Sequence, residues 1–434
     1  MNKGQKLWKK AEKIIPGGNG LLSKRPDRYL PKIWPTYFSK SKGINIWDLE
    51  NNKFKDMAQM GMGTCILGYA NDSIDKKVKN IIDKGINATL NCPEEFTLAK
   101  KILKYDKFAD QVKFAKGGGE AMSIAVRLAR AESGKDTVAF SGYHGWCDWY
   151  LATNLKNKNS LKDHLLPGLE PIGVPKKLKG SVVPFEYNNI DAFNKISKKN
   201  LAAIVIEGSR YFYPSKKFIY EIQKFCKNNK VCLIVDEITS GWRSSVGGIY
   251  KQLNIKPDIV VYGKGLGNGY PISCIVGKKR YMNYATKSFI SSTAWTERTG
   301  FVAANATIDF FVKNKVNKHI VSIGLQIKKG WINLAKKNNL KLKVSEIDSL
   351  CTFFFEYPNN DELYTLFCKE MLKQKYIASN SIYVSYSHKK KDISKYLRSC
   401  DKVFKKIFQY IKNKKRMKKS HIKFSGFTRL TRDK

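Results

Sequence analysis

Three apolar runs of this chain lead into residues that could do chemistry. The run VCLIV ends in Asp236 and Glu237, AAIVI ends in Glu207, and DIVVYG leads into Lys264. Because α/β sheets bind ligands at the carboxyl ends of parallel strands, these side chains are expected along one edge of a sheet. A lysine partly removed from water there keeps its amine available for imine formation. Lys264 is therefore a candidate for covalent carbonyl chemistry.

The glycines around Lys264, in the segment GKGLGNG, would let the backbone turn sharply and approach a bulky ligand closely. A nucleotide-binding loop of the Walker type is excluded, because Gly265 and not Ser or Thr follows the lysine. On position alone, a surface lysine in a flexible loop is an equally good interpretation. Other segments of the chain must decide between the two.

A second candidate is the glycine triplet 117–119, which lies between an expected strand and an amphipathic helix beginning near Glu120. Free backbone N–H groups and the helix dipole at such a junction suit a phosphate group. An ordinary tight turn is the alternative.

A third candidate is the segment SGYHGWCDWY, in which Tyr143 and His144 follow the expected strand TVAFS. An aromatic ring at a strand end could stack on a flat cofactor. Trp146, Trp149 and Tyr150 are expected instead to form a core aromatic cluster.

Together these pieces form a phosphate cradle, an aromatic platform, a carboxylate and an imine-forming lysine. Pyridoxal 5′-phosphate uses each of them. Lys264 would hold its aldehyde as a Schiff base, and Asp236 would keep the pyridine nitrogen protonated. Ile238 would pack on one face of the ring. The predicted catalytic residues are Lys264 and Asp236, and no metal site is predicted.

The elements that must position these residues alternate between strands and helices, which predicts an α/β fold with a mostly parallel sheet. The expected strands are 112–115, 137–141, 202–207, 231–236, 258–262 and 272–277. Helical patterns cover EAMSIAVRLARAES and FIYEIQKFCKNN. A short strand pair is expected around 37–39 and 45–47. We divide the chain into a large cofactor-binding domain over 60–312 and a small domain built from 1–59 and 313–434.

Composition limits the class of protein. Of the 434 residues, 42% are hydrophobic, enough for a large core, and no run is long enough to span a membrane. The nine cysteines form no C-x-x-C pair, which argues against a zinc ribbon. A cytoplasmic protein without membrane insertion is the expectation.

The chain is strongly basic, with 80 Lys and Arg against 36 Asp and Glu, a net charge of +44. The lysines are spread along the whole length, and the densest run is 412–419, where six of eight residues are basic. This pattern favours a solvated surface over a specific nucleic-acid site. A basic nucleic-acid-binding protein on an inactive enzyme scaffold is the alternative from another class.

The motifs together resemble the class III pyridoxal-phosphate aminotransferases, most closely the glutamate-1-semialdehyde 2,1-aminomutase-like branch. The resemblance covers about three quarters of the chain, on the segments IPGG, INIWDLENNKFKDM, GTCILGYAND, NCPEEFTLAKKI, GGGEAMSIAVRLARAESGKD, GYHGW, LIVDEITSGWR, DIVVYGKGLGNGYPIS and SSTAWTERTG. The pair DEITSGWR and GKGLGNGYP, in which 28 residues separate Asp236 from Lys264, is the most specific combination.

The resemblance implies a type I fold, with a large domain and a small α+β domain from both termini, and a homodimer with shared active sites. It supports the roles of Lys264 and Asp236. It further implies the cofactor-binding residues Gly118, Gly119, Tyr143, His144, Glu207, Ile238 and Thr293. Thr293 would reach the cofactor phosphate of the partner subunit. Glycine stands at 119 where the family has threonine, so one hydroxyl contact is lost.

A departure near the start of the chain bears on the substrate. Aminomutases of this branch carry an arginine that grips the substrate carboxylate, and here the aligned residue is Lys24, followed by Arg25. Lysine cannot make the two-pronged carboxylate contact of arginine, which argues against glutamate-1-semialdehyde. Lys24, Arg25 and Trp295 are the candidate substrate residues.

Two activities therefore stay open. One is an aminotransferase that moves an amino group from a donor amino acid to a carbonyl acceptor. The segments GYHGWCDWY, SSTAWTERTG and FSGFTRLT resemble a subgroup associated with bacterial surface-polysaccharide genes, which favours a sugar-like or phosphorylated substrate. The other is the aminomutase, which transfers the amine within one molecule for tetrapyrrole biosynthesis.

Overall fold

The structure is a computed structural model that describes residues 1–157, 159–164, 166, 168–209 and 211–424. The motif FSGFTRLT lies, after its first residue, outside this part of the chain. The described residues divide into two compact units, one of residues 1–72 and 318–424 and the other of residues 73–317. The predicted boundaries, after residues 59 and 312, fall somewhat before these divisions.

The strands are β1 Phe38–Lys42, β2 Asn45–Asp48, β3 Lys53–Met57, β4 Gln111–Ala115, β5 Thr137–Ser141, β6 Val182–Pro184, β7 Leu201–Glu207, β8 Cys232–Asp236, β9 Ile259–Tyr262, β10 Ser273–Gly277, β11 Leu342–Val344, β12 Leu350–Phe355, β13 Tyr376–Ala378 and β14 Ser381–Tyr383. The α-helices are α1 Lys3–Ile14, α2 Asp72–Ile82, α3 Pro93–Tyr105, α4 Gly118–Ser133, α5 Asp148–Leu151, α6 Ile190–Asn194, α7 Lys216–Asn229, α8 Lys279–Met282, α9 Tyr284–Lys287, α10 Arg298–Lys313, α11 Val316–Lys337, α12 Asn360–Lys373 and α13 Lys390–Lys412.

The unit of residues 73–317 is built on a seven-stranded sheet in the order β4-β10-β9-β8-β7-β5-β6. The strands from β9 to β6 are parallel, and β10 runs antiparallel to both of its neighbours. Every residue of β7, β8 and β9 is buried, which explains their continuous apolar sequences. The carboxyl ends of β7, β8 and β9 consequently lie side by side.

Local sequence accounts for the helices that flank this sheet. Helix α4 begins at Gly118, two residues before the predicted start, and ends at Gly134, whose φ of 64° permits the left-handed C-terminal turn. Helix α7 begins after Ser215, whose side chain accepts a hydrogen bond from the Phe218 N–H. Both helices bury one apolar face, as their periodicity predicts.

The unit of residues 1–72 and 318–424 combines the two ends of the chain. It contains a four-stranded sheet, β1-β2-β3-β13, and a three-stranded sheet, β11-β12-β14. Helices α11 and α13 pack together, and the Trp331 indole donates to the Tyr396 hydroxyl between them at 3.2 Å. The parallel pairing of β13 with β3 joins the C-terminal segment to the N-terminal one.

The six strands predicted for the large sheet are confirmed within one residue at each end. The predicted strand pair is also present, as the antiparallel pair β1–β2, although β1 ends at Lys42, three residues after the predicted end. The sequence did not predict β6 or the reversed direction of β10, because both depend on pairing between distant segments. Trp149 and Tyr150 are buried as expected, but Trp146 is 73% exposed, so its assignment to the core was wrong. No helix in the described part of the chain is long and apolar enough to cross a membrane.

Candidate active site

Lys264 follows β9 and begins a short 3₁₀ turn, Lys264–Gly267. Its φ of 42° lies in the left-handed region, where a residue other than glycine is strained. Its Nζ donates a hydrogen bond to the Thr239 hydroxyl oxygen at 2.8 Å. The turn thus holds the amine against the segment that follows β8.

Asp236 ends β8, and its carboxylate is held on both oxygens. Oδ2 lies 2.8 Å from His144 Nδ1, and Oδ1 accepts the Ile238 N–H at 2.9 Å. The other ring nitrogen of His144 lies 3.2 Å from the Ser141 carbonyl oxygen. Both ring nitrogens of His144 therefore face oxygen atoms, one of Asp236 and one of the Ser141 backbone. The orientation of Asp236 is fixed before any ligand arrives.

His144 lies behind Asp236. Its side chain has no exposed surface and stacks against Trp149, with ring centroids 6.3 Å apart. The sequence placed His144 among the cofactor contacts, and its burial suits a residue that acts through Asp236.

Gly118 and Gly119 form the first turn of α4, where backbone N–H groups have no acceptor within the helix. The neighbouring Gly117 N–H donates to Glu120 Oε2 at 2.8 Å. A Cβ on Gly118 would lie 3.0 Å from the Ile238 side chain, and one on Gly263 would lie 3.4 Å from it. Ile238 therefore fills the space between the glycine turn and the strand that leads to Lys264.

The space beside Gly119 is also occupied. A Cβ there would lie 3.5 Å from Trp146 Nε1 and 3.7 Å from Cys147 Sγ. These are ordinary van der Waals distances, so Gly119 is less crowded than Gly118.

Glu207 ends β7 and is the direct register partner of Asp236 on β8. Its Oε2 accepts the Tyr143 N–H at 3.2 Å. Gly142, with a φ of 116°, makes this approach possible, since a Cβ there would lie 2.6 Å from the Glu207 side chain. Tyr143 is half-buried and packs edge-on against Tyr150.

Thr293 begins an exposed 3₁₀ turn, Thr293–Thr296, that also carries Trp295. The Trp295 Nε1 donates to Glu120 Oε1 at 3.4 Å, and Lys113 lies over its ring. The turn is therefore attached to the start of α4, where Gly118 and Gly119 lie. The remaining candidate residues, Lys24 and Arg25, belong to the other unit.

The surroundings of Lys24 and Arg25 differ. Arg25 Nε and Nη2 donate to the Asp27 carboxylate, with Nη2 at 2.9 Å, and Nη1 donates to the Gly17 carbonyl at 3.1 Å. The edge of the guanidinium that would grip a carboxylate is thus occupied by Asp27. Lys24 is exposed.

Sequence reasoning missed residues that support the site. Thr239, the partner of Lys264, has its carbonyl held by Nε of the buried Arg243 at 2.6 Å. Both lie in the DEITSGWR motif, and a hydroxyl three residues after a strand-end aspartate was the available signal. Glu120 was read as the start of a helix only, although its position three residues after Gly117 is a capping signal.

Comparison with known proteins identifies the family. The family description "aminotransferase class-III" matches residues 31–381, and the chain belongs to this family of enzymes. The chain is 32% identical to the 3-aminobutyryl-CoA aminotransferase of Cloacimonas acidaminovorans, covering 71% of this chain and 73% of that protein. It is 30% identical to the glutamate-1-semialdehyde 2,1-aminomutase of Wigglesworthia glossinidia brevipalpis, covering 92% and 97%.

Solved structures agree on the fold. The FumI protein of Sphingopyxis sp. MTA144, solved in its pyridoxal-phosphate internal aldimine form, superposes with a TM-score of 0.84 at 23% identity, covering 94% of this chain and 97% of that one. An omega-transaminase from Sphaerobacter thermophilus gives 0.82 at 20% identity, covering 94% and 97%. The predicted type I fold and the predicted enzyme class are confirmed.

Proposed function

We propose that this enzyme is an aminotransferase in which Lys264 carries pyridoxal 5′-phosphate and an amino group passes from a donor amino acid to a carbonyl acceptor. One observation carries the assignment of the site. The end of β8 and the segment that follows it meet three other parts of the site: Asp236 meets His144, Ile238 lies beside Gly118, and Thr239 meets Lys264.

The residues fit the cofactor class expected of the family. When bound, pyridoxal phosphate supplies an aldehyde that condenses with amines and a protonated ring that accepts electrons from a carbanion. The Lys264 amine would form the covalent bond with the cofactor, and as a free amine it would take the proton from the donor α-carbon as general base. The Thr239 hydroxyl, which accepts a hydrogen bond from Lys264 Nζ, would orient this amine.

The other residues bind and orient. Asp236, held by His144, would keep the proton on the ring nitrogen, and Ile238 and Tyr143 would cover the ring faces. The N–H groups of Gly118 and Gly119 would hold the phosphate, with favourable helix-dipole charge at the start of α4. Glu207 orders the Tyr143 segment through the Tyr143 N–H. We further propose a cytoplasmic homodimer with shared active sites. In this dimer, Thr293 would contact the cofactor phosphate of the partner subunit.

The role of Lys264 can be tested by trapping. Reduction of the purified enzyme with borohydride should fix cofactor to the chain, and Lys264→Ala should abolish this adduct because the imine cannot form. Lys256→Ala, at an exposed lysine of the same unit, is the matched control and should trap cofactor as the wild type does. Mass spectrometry of the reduced protein measures both. A covalent adduct that persists in the Lys264 variant would overturn the assignment.

The observation that favours a transaminase over the aminomutase is the pairing of Arg25 with Asp27, together with lysine at position 24. Neither Lys24 nor Arg25 therefore presents a free guanidinium group that could bind the substrate carboxylate, as the arginine of the mutase does. A donor-dependence assay separates the two activities: a transaminase needs an external amino donor, whereas the mutase converts glutamate-1-semialdehyde without one. Complementation of a tetrapyrrole-deficient strain would decide for the mutase.

For the acceptor we propose a sugar-like or phosphorylated carbonyl compound of surface-polysaccharide biosynthesis. Keto sugars with glutamate as donor are therefore the first compounds to assay. The resemblance to a 3-aminobutyryl-CoA aminotransferase makes that thioester a second donor to include. If the enzyme turns over the thioester and shows no activity on keto sugars, the proposed sugar-like acceptor is wrong.

A further inference from the structure

The turn that carries Thr293 and the segment that carries the glycine cradle are joined by non-covalent contacts in two places. Lys116 Nζ lies 2.8 Å from Glu297 Oε2 and donates to the Glu297 carbonyl at 3.0 Å. Glu120 accepts the Trp295 indole N–H through one oxygen and the Gly117 N–H through the other. Glu297 of the Thr293 turn thus binds Lys116, which precedes the glycines, and Glu120, which follows the glycines, binds Trp295 of the turn.

Both links connect to elements that are themselves fixed. Glu297 is the N-cap of α10, and its Oε1 accepts the Thr299 N–H at 2.6 Å. The next residue, Arg298, makes a two-pronged ion pair with Glu94 at the start of α3. On the cradle side, the Ser273 hydroxyl donates to the Gly117 carbonyl at 3.1 Å. The glycine segment is therefore held between β10 and the start of α10.

The Lys116–Glu297 contact is a tight, partly buried ion pair. The side chains are 17% and 23% exposed, and a Cβ on Gly300 would come within 3.1 Å of the Lys116 amine. Burial acts to raise the pKa of Glu297, but the hydrogen bonds from Lys116 and Thr299 outweigh it and leave this pKa below its ordinary value. Glu297 is thus charged when it meets Lys116.

We propose that Lys116 and Glu297, with Glu120 and Trp295, form a brace that positions the glycine cradle and the Thr293 turn for phosphate. The four are positioning residues. This inference rests on the proposed function, since it takes Gly118, Gly119 and Thr293 as the phosphate contacts. Its physical basis is preorganisation: a cradle already held in its binding geometry loses less conformational freedom when the ligand binds.

The decisive comparison is between pyridoxal phosphate and pyridoxal, which has the same aldehyde and ring but no phosphate. Apo-enzyme is titrated with each compound and the dissociation constant is read from absorbance. Lys116→Met and Glu297→Gln should each weaken binding of pyridoxal phosphate about tenfold, as expected for loss of a charge-assisted contact. Binding of pyridoxal should stay within about twofold, because the Lys264 bond does not depend on the brace.

Two features of the design keep the result specific. Glu297→Gln retains an oxygen that can cap α10, so this variant tests the ion pair even if the Lys116 variant folds poorly. Lys101→Met is the matched control, because it removes an ion pair to Asp309 of the same helix α10, away from the cradle. It should leave both dissociation constants unchanged. The double variant should bind no more weakly than either single variant, as expected for one shared contact.

The outcomes separate this inference from the function on which it rests. Equal weakening of both compounds would show a general structural role and overturn the brace, as would unchanged binding of pyridoxal phosphate. A wild-type enzyme that does not prefer pyridoxal phosphate to pyridoxal would refute the phosphate cradle itself. If the wild-type enzyme prefers pyridoxal phosphate and the variants bind both compounds as the wild type does, the phosphate cradle is supported and the brace is refuted.

Discussion

At the end of β8, two adjacent carboxylates have opposite surroundings. Asp236 meets the His144 ring and the Ile238 backbone N–H. Glu237 is fully buried, with the Ser240 hydroxyl at 2.5 Å and the Tyr250 N–H at 2.8 Å. Burial raises the pKa of Glu237 to about 7, against these hydrogen bonds, which lower it. Asp236 is the residue proposed to hold the cofactor, whereas Glu237 belongs to a buried polar network with Ser240 and Tyr250.

This difference predicts a pH-dependent stability. The Glu237 pKa is near 4.5 in the unfolded chain and about 7 in the folded one, so the folded state binds its proton more tightly. The resulting stabilisation is fully present below pH 4.5 and is lost as the pH rises through about 7. The free energy of unfolding of Glu237→Gln, relative to wild type, should therefore increase between pH 5 and pH 8.

Urea unfolding at the two pH values measures the effect, and the exposed Glu12→Gln variant controls for the change in net charge. A difference between Glu237→Gln and wild type that is the same at both pH values would refute the assignment of this titration to Glu237.

Among the elements, the start of α4 packs closely against Ile238 of the segment after β8. It can be tested with two neighbouring glycines. A Cβ on Gly118 would lie 3.0 Å from Ile238, a crowded distance, whereas one on Gly119 would meet Trp146 and Cys147 at 3.5 Å or more. Both residues are helical, so backbone strain does not separate them.

Gly118→Ala should therefore displace Ile238 and weaken cofactor binding, at a cost of about 1–3 kcal/mol for overpacking. Gly119→Ala, the matched variant in the same turn, should bind cofactor within about threefold of wild type, because its new methyl group makes ordinary contacts. Titration of the apo-enzymes gives both values. Equal losses in the two variants would indicate that Ile238 does not set the width of the cradle.

At the scale of the whole molecule, the charge of +44 and the exposed apolar residues are the unexplained features. The lysines are dispersed along a chain that belongs to a family of enzymes. We therefore interpret the charge as a solvated surface and not as a specific nucleic-acid site. The apolar residues are more local. In the segment before α3 and its first turn, Ile86, Leu90 and Phe96 are 41%, 84% and 68% exposed.

Exposed apolar side chains this close together in the sequence favour a protein–protein contact, and we assign them to the proposed homodimer. A Leu90→Asp and Phe96→Asp double variant should sediment as a monomer. It should also bind pyridoxal phosphate more weakly, because each site is proposed to receive Thr293 from the partner subunit. Tyr220→Asp, at an exposed aromatic residue on α7, is the control and should remain dimeric. A double variant that stays dimeric would place the interface elsewhere.

Much of the fold was predictable because the relevant signals are local. The strands of the central sheet are continuous apolar runs buried on both faces, so their sequences identify them without any partner. For the same reason the strand-end positions of Lys264, Asp236 and Glu207 could be read directly. The direction of β10 could not, because it is set by pairing with β4 and β9, which lie far apart in the chain.

By itself, the sequence determined the class of chemistry, through a lysine, a carboxylate and a glycine turn at fixed spacing in an α/β pattern. The tertiary structure decided how each group is held. It placed His144 behind Asp236, engaged Arg25 with Asp27, exposed Trp146 and joined Lys116 to Glu297, which is 181 residues away. Spacing along the chain indicates which groups are present at a strand end. Contacts between distant segments decide which of those groups can reach a ligand and which support another side chain.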